Sequence, residues 1–147
     1  MENIITKTIR CPACGAKMEI TLYNVVNEQE RAGVGGLIGS YQAHTTPCPK
    51  CEVGIVTPYP TFYEDLDKGV LFAYVTSREK ASKVRENFKK AKMQENSVYA
   101  NCKLRIFTNL DNFVFAVSEH YDEYYFDEEG YEQFERYMRA WDESLGL

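Results

Sequence analysis

The chain has 147 residues, enough for one domain of ordinary size, and its 44% hydrophobic and 14% aromatic content predicts a packed core. The formal net charge of −5 argues against non-specific nucleic-acid binding by the whole molecule, although a local basic face is not excluded. No apolar run reaches the roughly 20 residues that a membrane-spanning helix needs, so we expect no membrane association.

The first half of the chain predicts short strands separated by loops. Residues 4–9 form a strand candidate, and residues 17–26 alternate apolar and polar side chains with the period of a strand. The glycine-rich insertion 31–39 lacks the Lys and Ser/Thr of a phosphate-binding loop, so it predicts a mobile loop or hairpin tip. Residues 41–46 are then expected to return as a strand.

The middle of the chain predicts a hairpin, a helix and a further strand. Residues 61–75 contain two apolar runs around a polar turn, which is typical of a hairpin. Thr76 and Glu79 have the spacing of a capping box, with Thr76 as the N-cap of a helix over 77–95. Residues 102–108 return to strand alternation.

Two more helices are predicted in the C-terminal part. Thr108 and Asp111 repeat the cap spacing before a helix, and an aromatic stripe follows the acidic break at 122–129. The stripe consists of Tyr131, Phe134, Met138, Trp141 and Leu145. We expect the helices to pack on one sheet and to bury Phe88, Phe113, Val117, Phe134 and Trp141.

These elements predict a single α+β domain over residues 1–147. A zinc-ribbon-like β lobe over 4–57 is expected to join an α/β body over 58–147, which ends in acidic, aromatic helices. The body should contain a small, mostly antiparallel sheet covered by about three helices.

Two Cys-Pro-x-Cys motifs predict a metal site. Cys11 and Cys14 form one pair, and Cys48 and Cys51 form the other. Two residues between the thiols let each pair converge on one ion, and two pairs supply the four ligands of a structural tetrahedral zinc. Iron accepts the same donors and remains an alternative.

Paired disulfides are the other interpretation of these cysteines. The first residues of the chain show no signal-peptide pattern, so we expect a cytoplasmic protein with reduced thiols. Gly15 follows the first motif, where a metal-binding turn often needs a positive φ, and Glu52 occupies the equivalent position after the second motif.

No catalytic group stands out among the remaining candidates. His44, four residues before Cys48, could be a ligand or support one, but it is more simply a partly exposed polar residue. His120 lies near a helix end, and Cys102 is most simply a small buried residue. Four cysteines leave a zinc ion no open position for substrate, so we expect a structural metal and no enzymatic activity.

The charge distribution leaves three functions open. Residues 78–110 are basic, whereas the tail after Asp111 is acidic and aromatic. A protein-interaction or adaptor module with a protein partner is the preferred interpretation. A nucleic-acid-binding zinc-ribbon regulator that uses the basic helix 77–95 is the alternative. An enzyme or small-molecule binder with an unrecognised site is the third.

Several of these features together resemble the bacterial CpXC domain family. They are the two Cys-Pro-x-Cys motifs, the glycine-containing insertion, the segment Tyr59-Pro60-Thr61-Phe62-Tyr63-Glu64-Asp65, and Leu104-Arg105-Ile106 before a helix. The resemblance covers most of residues 4–128. It implies zinc binding through Cys11, Cys14, Cys48 and Cys51, and it implies no catalytic residue.

Overall fold

The structure is a computed structural model that describes residues 2–125 together with Arg136 and Arg139. The strands are β1 (Asn3–Arg10), β2 (Lys17–Asn27), β3 (Thr45–Pro47), β4 (Gly54–Val56), β5 (Thr61–Asp65), β6 (Val70–Tyr74) and β7 (Lys103–Phe107). The α-helices are α1 (Val34–Gly39), α2 (Arg78–Met93) and α3 (Leu110–Tyr124), and a 3-10 turn covers Gln42–His44. The predicted α+β class is confirmed.

One five-stranded sheet carries the fold, in the order β1-β2-β5-β6-β7. The pairs β1–β2 and β5–β6 are antiparallel, whereas β2–β5 and β6–β7 are parallel. The sheet is thus evenly mixed where the sequence predicts a mostly antiparallel one, because both parallel connections cross over through helices. Strand β2 of the predicted lobe pairs with β5 of the predicted body, so one sheet runs through both parts. Strands β3 and β4 form a separate antiparallel ribbon.

The main core lies between one face of this sheet and helices α1 and α3. Tyr63 and Phe72 are register partners on β5 and β6, and both pack in this core. Helix α3 contributes Phe113 and Val117, each with no exposed surface, as the sequence predicts. The predicted burial of Phe134 and Trp141 concerns residues outside the described part of the chain.

Helix α2 packs less deeply than the sequence predicts. Ala81 in its first turns is the one fully buried residue of this helix, and Phe88 is half-buried rather than buried. Seven basic and two acidic residues occupy this helix, so few positions remain for apolar side chains. The helix therefore contributes little to the core, although it does lie beside β7.

The two helix caps lie one residue after the predicted positions. Ser77, not Thr76, caps α2, because its hydroxyl accepts a hydrogen bond from the Lys80 amide at 3.2 Å. Asn109, not Thr108, caps α3 by accepting from the Asn112 amide at 3.0 Å. The extended chain continues past β6, since the Val75 amide still bonds to the carbonyl of Phe107.

The glycine-rich insertion forms a packed helix instead of a mobile loop. Val34, Gly35 and Ile38 of α1 are buried, and α1 lies directly against α3. A Cβ atom on Gly36 would lie 3.1 Å from the Tyr121 ring, and one on Gly39 would lie 3.0 Å from Ser118. The glycines thus allow the two helices to approach closely, which composition alone did not indicate.

The described helices are all too short or too polar to cross a membrane.

Candidate metal centre

The first cysteine motif forms the turn of the β1–β2 hairpin. Strand β1 ends at Arg10, β2 begins at Lys17, and the Cys11 amide donates to the Ala16 carbonyl at 2.8 Å. The Gly15 amide donates to the Cys11 carbonyl at 2.8 Å, and Gly15 has a φ of 76°. This left-handed residue turns the chain so that Cys11 and Cys14 lie on the same side.

The second motif repeats this geometry between β3 and β4. The Cys48 amide donates to the Val53 carbonyl at 2.9 Å, and the Glu52 amide donates to the Cys48 carbonyl at 3.0 Å. Glu52 has a φ of 66°, so it adopts the left-handed conformation that Gly15 adopts in the first motif. A side chain in this region is strained, typically by about 1–2 kcal/mol. The turn is retained despite this cost.

The four motif cysteines converge on one point. Their sulfur atoms all lie within 4.8 Å of one another. The Cys11 and Cys51 sulfurs are 3.7 Å apart, and those of Cys14 and Cys48 are 3.6 Å apart. A tetrahedron with Zn–S bonds of about 2.3 Å has S–S edges of about 3.8 Å, whereas a disulfide is about 2.05 Å long. The spacing fits a four-thiolate metal site, and all five cysteines are free thiols.

The environment of these thiols also fits a cation. Cys11 and Cys48 are buried over a small core that includes Met18 and Ile20. The backbone N–H groups of Cys51 and Lys50 lower the pKa of Cys48 to about 6. The Val53 amide acts in the same direction on Cys51, but burial and the adjacent thiols outweigh it and raise its pKa to about 11. Neighbouring thiolates repel each other, and a bound divalent metal removes that repulsion.

His44 is fully buried, where the sequence predicts a partly exposed residue. Its ring stacks on Tyr59 at 4.4 Å between centroids, and its Nε2 lies 2.8 Å from the hydroxyl of Thr61. Its Nδ1 has no hydrogen-bond partner in the described structure, and burial lowers the pKa of His44 to about 4. His44 does not join the four-sulfur cluster, so the structure assigns it to the core.

A buried polar cluster that no local sequence pattern indicates lies at the carboxyl ends of β2 and β5. It contains three buried carboxylates: Glu28 (4% exposed), Glu64 (5%) and Asp65 (0%). The parallel β2–β5 pairing places Asn27 opposite Glu64, and the Asn27 amide donates to the Glu64 carboxylate at 3.3 Å. The Tyr99 hydroxyl donates to the other Glu64 oxygen at 2.7 Å.

Asp65 connects the sheet to the end of α3. Its carboxylate accepts hydrogen bonds from the Gln29 side chain and the Tyr125 hydroxyl, both at 2.7 Å, and lies 2.8 Å from Nε2 of His120. Burial opposes the charge, but the hydrogen bonds from His120, Tyr125 and Gln29 outweigh it and lower the pKa of Asp65. His120 thus lies near the end of α3, as the sequence predicts, and is a buried partner of Asp65.

Glu28 connects the sheet to helix α1. Its two oxygens accept hydrogen bonds from the backbone amides of Gly33 at 2.6 Å and Gly35 at 3.0 Å. The Tyr63 hydroxyl donates to the same carboxylate at 2.8 Å, and burial together with Glu28 raises the pKa of Tyr63. Each carboxylate of the cluster thus accepts two or three hydrogen bonds. Together these bonds hold α1, α3 and the segment after β2 on the sheet.

Cys102 lies apart from the metal centre, as expected for a small buried residue. It is 2% exposed, and its thiol lies 3.8 Å from the Val98 carbonyl. Burial raises the pKa of the Cys102 thiol, which disfavours the thiolate that a nucleophile needs.

The fold and the cysteine cluster together define an α+β protein in which two turns supply four clustered thiols that could hold a metal ion. The chain matches the CpXC protein family over residues 9–124, and it belongs to that family. No match was found among curated proteins or among solved structures.

Proposed function

We propose that this CpXC protein binds one structural zinc ion through Cys11, Cys14, Cys48 and Cys51 and acts as a protein-interaction or adaptor module. The cluster of four sulfur atoms, all within 4.8 Å of one another, is the observation that carries the proposal. A four-thiolate zinc has no position for substrate or water, so the metal would maintain the fold and perform no reaction. Iron fits the same donors, and metal analysis separates the two.

An adaptor role is supported by exposed aliphatic side chains after the second motif and on the edge strand. Val53 and Val56 follow the second motif and are 48% and 53% exposed, and Ile5 on β1 is 47% exposed. Strand β1 is also the edge of the five-stranded sheet, with eight residues of which most are exposed. An open edge with aliphatic side chains can accept an extended peptide of a partner as an additional strand.

Nucleic-acid binding is a second candidate, and helix α2 supports it. The helix carries seven basic residues, nearly all exposed, and none of them forms an ion pair within the described part of the chain. Such a face would attract phosphates, although the net charge of −5 opposes long-range attraction.

The metal part of the proposal is tested by elemental analysis of protein purified under reducing conditions without added metal. We expect close to one zinc per chain, and a large loss of zinc for Cys48→Ser. Cys102→Ser is the matched control because this cysteine lies outside the cluster, and it should retain zinc. Two disulfides with no metal would refute this part.

The interaction part is tested separately with metal-loaded protein. Cross-linking and capture from cells should yield a specific partner that is lost in Val53→Asp/Val56→Asp and retained when basic residues of α2 are replaced by Gln. Salt-dependent retention of mixed nucleic acid that requires the α2 residues, without a protein partner, would favour the second candidate.

A further inference from the structure

A cavity separates the second half of helix α2 from strand β7. The helix is anchored by Ala81 near its start, and from Arg85 onward an open space of about 400 Å³ lies between it and the sheet. This volume falls within the range of small-molecule sites, roughly 300–1,000 Å³. The incomplete packing of α2 thus includes an open cavity beside β7.

The rim of this cavity is strongly basic. Arg85, Lys89 and Lys92 of α2 and Lys103 of β7 line it, and its lining contains no acidic residue. The three helix residues follow helical spacing, so they share one face. Lys92 donates a hydrogen bond to the Cys102 carbonyl at 3.2 Å. None of the four cations forms an ion pair within the described residues, so their positive charge is not compensated there.

The floor of the same cavity is apolar. Phe88, Leu104 and Ile106 form it, and all three are only partly buried. Leu104 and Ile106 alternate with exposed Lys103 and Arg105 along β7. A ligand that covered this floor would remove apolar surface from water, which is favourable in proportion to the area buried.

We propose that the α2–β7 cavity binds a small amphiphilic anion, with a phosphate or carboxylate group at the basic rim and an apolar body on the floor. Inorganic phosphate would contact the basic rim but leave the apolar floor exposed to water. An extended polyanion would use charges along α2 but gain nothing from Phe88, Leu104 and Ile106. Only a molecule with both parts uses both features of the cavity. The proposal is independent of the metal centre and of the adaptor role.

Dodecyl phosphate below its micellar concentration is a suitable probe for metal-loaded full-length protein. Calorimetric titration should show one site, and amide NMR shifts should concentrate in residues 85–92 and 102–106. Inorganic phosphate should bind at least tenfold more weakly. The double variant Arg85→Gln/Lys89→Gln should weaken dodecyl phosphate about tenfold, because it removes two exposed charges on the cavity face of α2 that would contact the anion.

Lys83→Gln is the matched control, since Lys83 is an exposed cation of α2 outside the cavity; its affinity should equal that of the wild type. Ile106→Thr keeps the branching at Cβ but shortens the side chain and replaces a methylene group with a hydroxyl, so it should also weaken binding of the probe. Both charge positions are exposed and form no ion pair within the described residues, so the double variant should fold normally, as its circular dichroism can verify. Equal affinity of wild type and double variant would overturn the proposal. The proposal would also be overturned if inorganic polyphosphate or single-stranded nucleic acid bound more tightly than dodecyl phosphate and this binding depended on Lys83 as much as on Lys89.

Discussion

Replacing Gly35 with alanine should destabilise the protein, because helix α1 has no room for a methyl group there. A Cβ atom at this position would lie 2.8 Å from each of three atoms: Oε1 of Glu28, the hydroxyl of Tyr63 and Cδ2 of Tyr121. The first two are hydrogen-bonded to each other, and Glu28 also accepts from the Gly35 amide itself. Neither can move away without loss of a buried hydrogen bond.

The magnitude follows from three contributions. Overpacking of a core typically costs about 1–3 kcal/mol. Weakening a hydrogen bond to a buried carboxylate costs about 1.5–3 kcal/mol. Alanine in a helix gains about 1 kcal/mol over glycine. The net destabilisation should be about 2–4 kcal/mol, which corresponds to a melting temperature lower by about 5–15 °C for a chain of this size.

Urea unfolding at a fixed excess of zinc measures this difference without changing metal occupancy. Gly54→Ala is the matched control, since its Cβ would meet only Thr45 at 3.5 Å, an ordinary contact; it should be neutral or slightly stabilising. If Gly35→Ala were as stable as the control, the close contact of α1 with Glu28 and Tyr63 would be wrong.

Two further predictions concern strained or titrating residues. Glu52→Gly should stabilise the protein by up to about 1 kcal/mol, because glycine relieves the positive φ but is less restricted when unfolded. Gly15→Ala should destabilise the protein, because alanine is strained at the positive φ of Gly15. Urea unfolding compares the two variants, and a Gly15→Ala protein more stable than Glu52→Gly would contradict the equivalence of the two turns. The pKa of His44 is lowered to about 4, below the unfolded value of about 6.5. The unfolded chain therefore binds a proton at His44 between about pH 6.5 and pH 4, whereas the folded protein does not. The free energy of unfolding is unaffected by His44 above about pH 6.5 and decreases as the pH falls towards 4, by at most about 3 kcal/mol. His44→Phe keeps an aromatic ring but cannot titrate, so the free energy of unfolding of this variant should lose this pH dependence. A pH profile equal to that of the wild type would refute the lowered pKa of His44.

Local sequence signals predicted most elements of this fold. The alternation of residues 17–26 and the two runs of 61–75 correspond closely to β2 and to β5 and β6. These patterns succeed because each strand places one face in the core and repeats every second residue. Convergence within each cysteine pair was predictable for a similar local reason, since two residues between the thiols form one tight turn. The meeting of the two pairs was predictable from chemistry, because a tetrahedral metal needs four such ligands.

Features that depend on distant partners were not predictable. The glycine-rich composition of 31–39 predicts a mobile loop or hairpin tip, yet helix α1 packs closely against Tyr121, more than eighty positions away in the sequence. The sequence places Asp65 in the 61–75 hairpin and His120 near a helix end, and neither position indicates a buried contact between them. Only the parallel pairing of β2 with β5 and the docking of α3 bring these polar groups into a buried cluster.

The location of the first cysteine motif at the β1–β2 turn has a consequence for how the protein behaves when metal is scarce. Strand β1 ends at Arg10, directly before Cys11, and pairs with β2 from Lys17 to Val25. Without metal the turn loses its cross-link to the second motif, and an exposed strand such as β1 frays readily. The freed edge of β2, which carries Met18, Ile20 and Leu22, would then be a template for intermolecular pairing. Metal depletion should thus first appear as aggregation rather than as a clean unfolding transition.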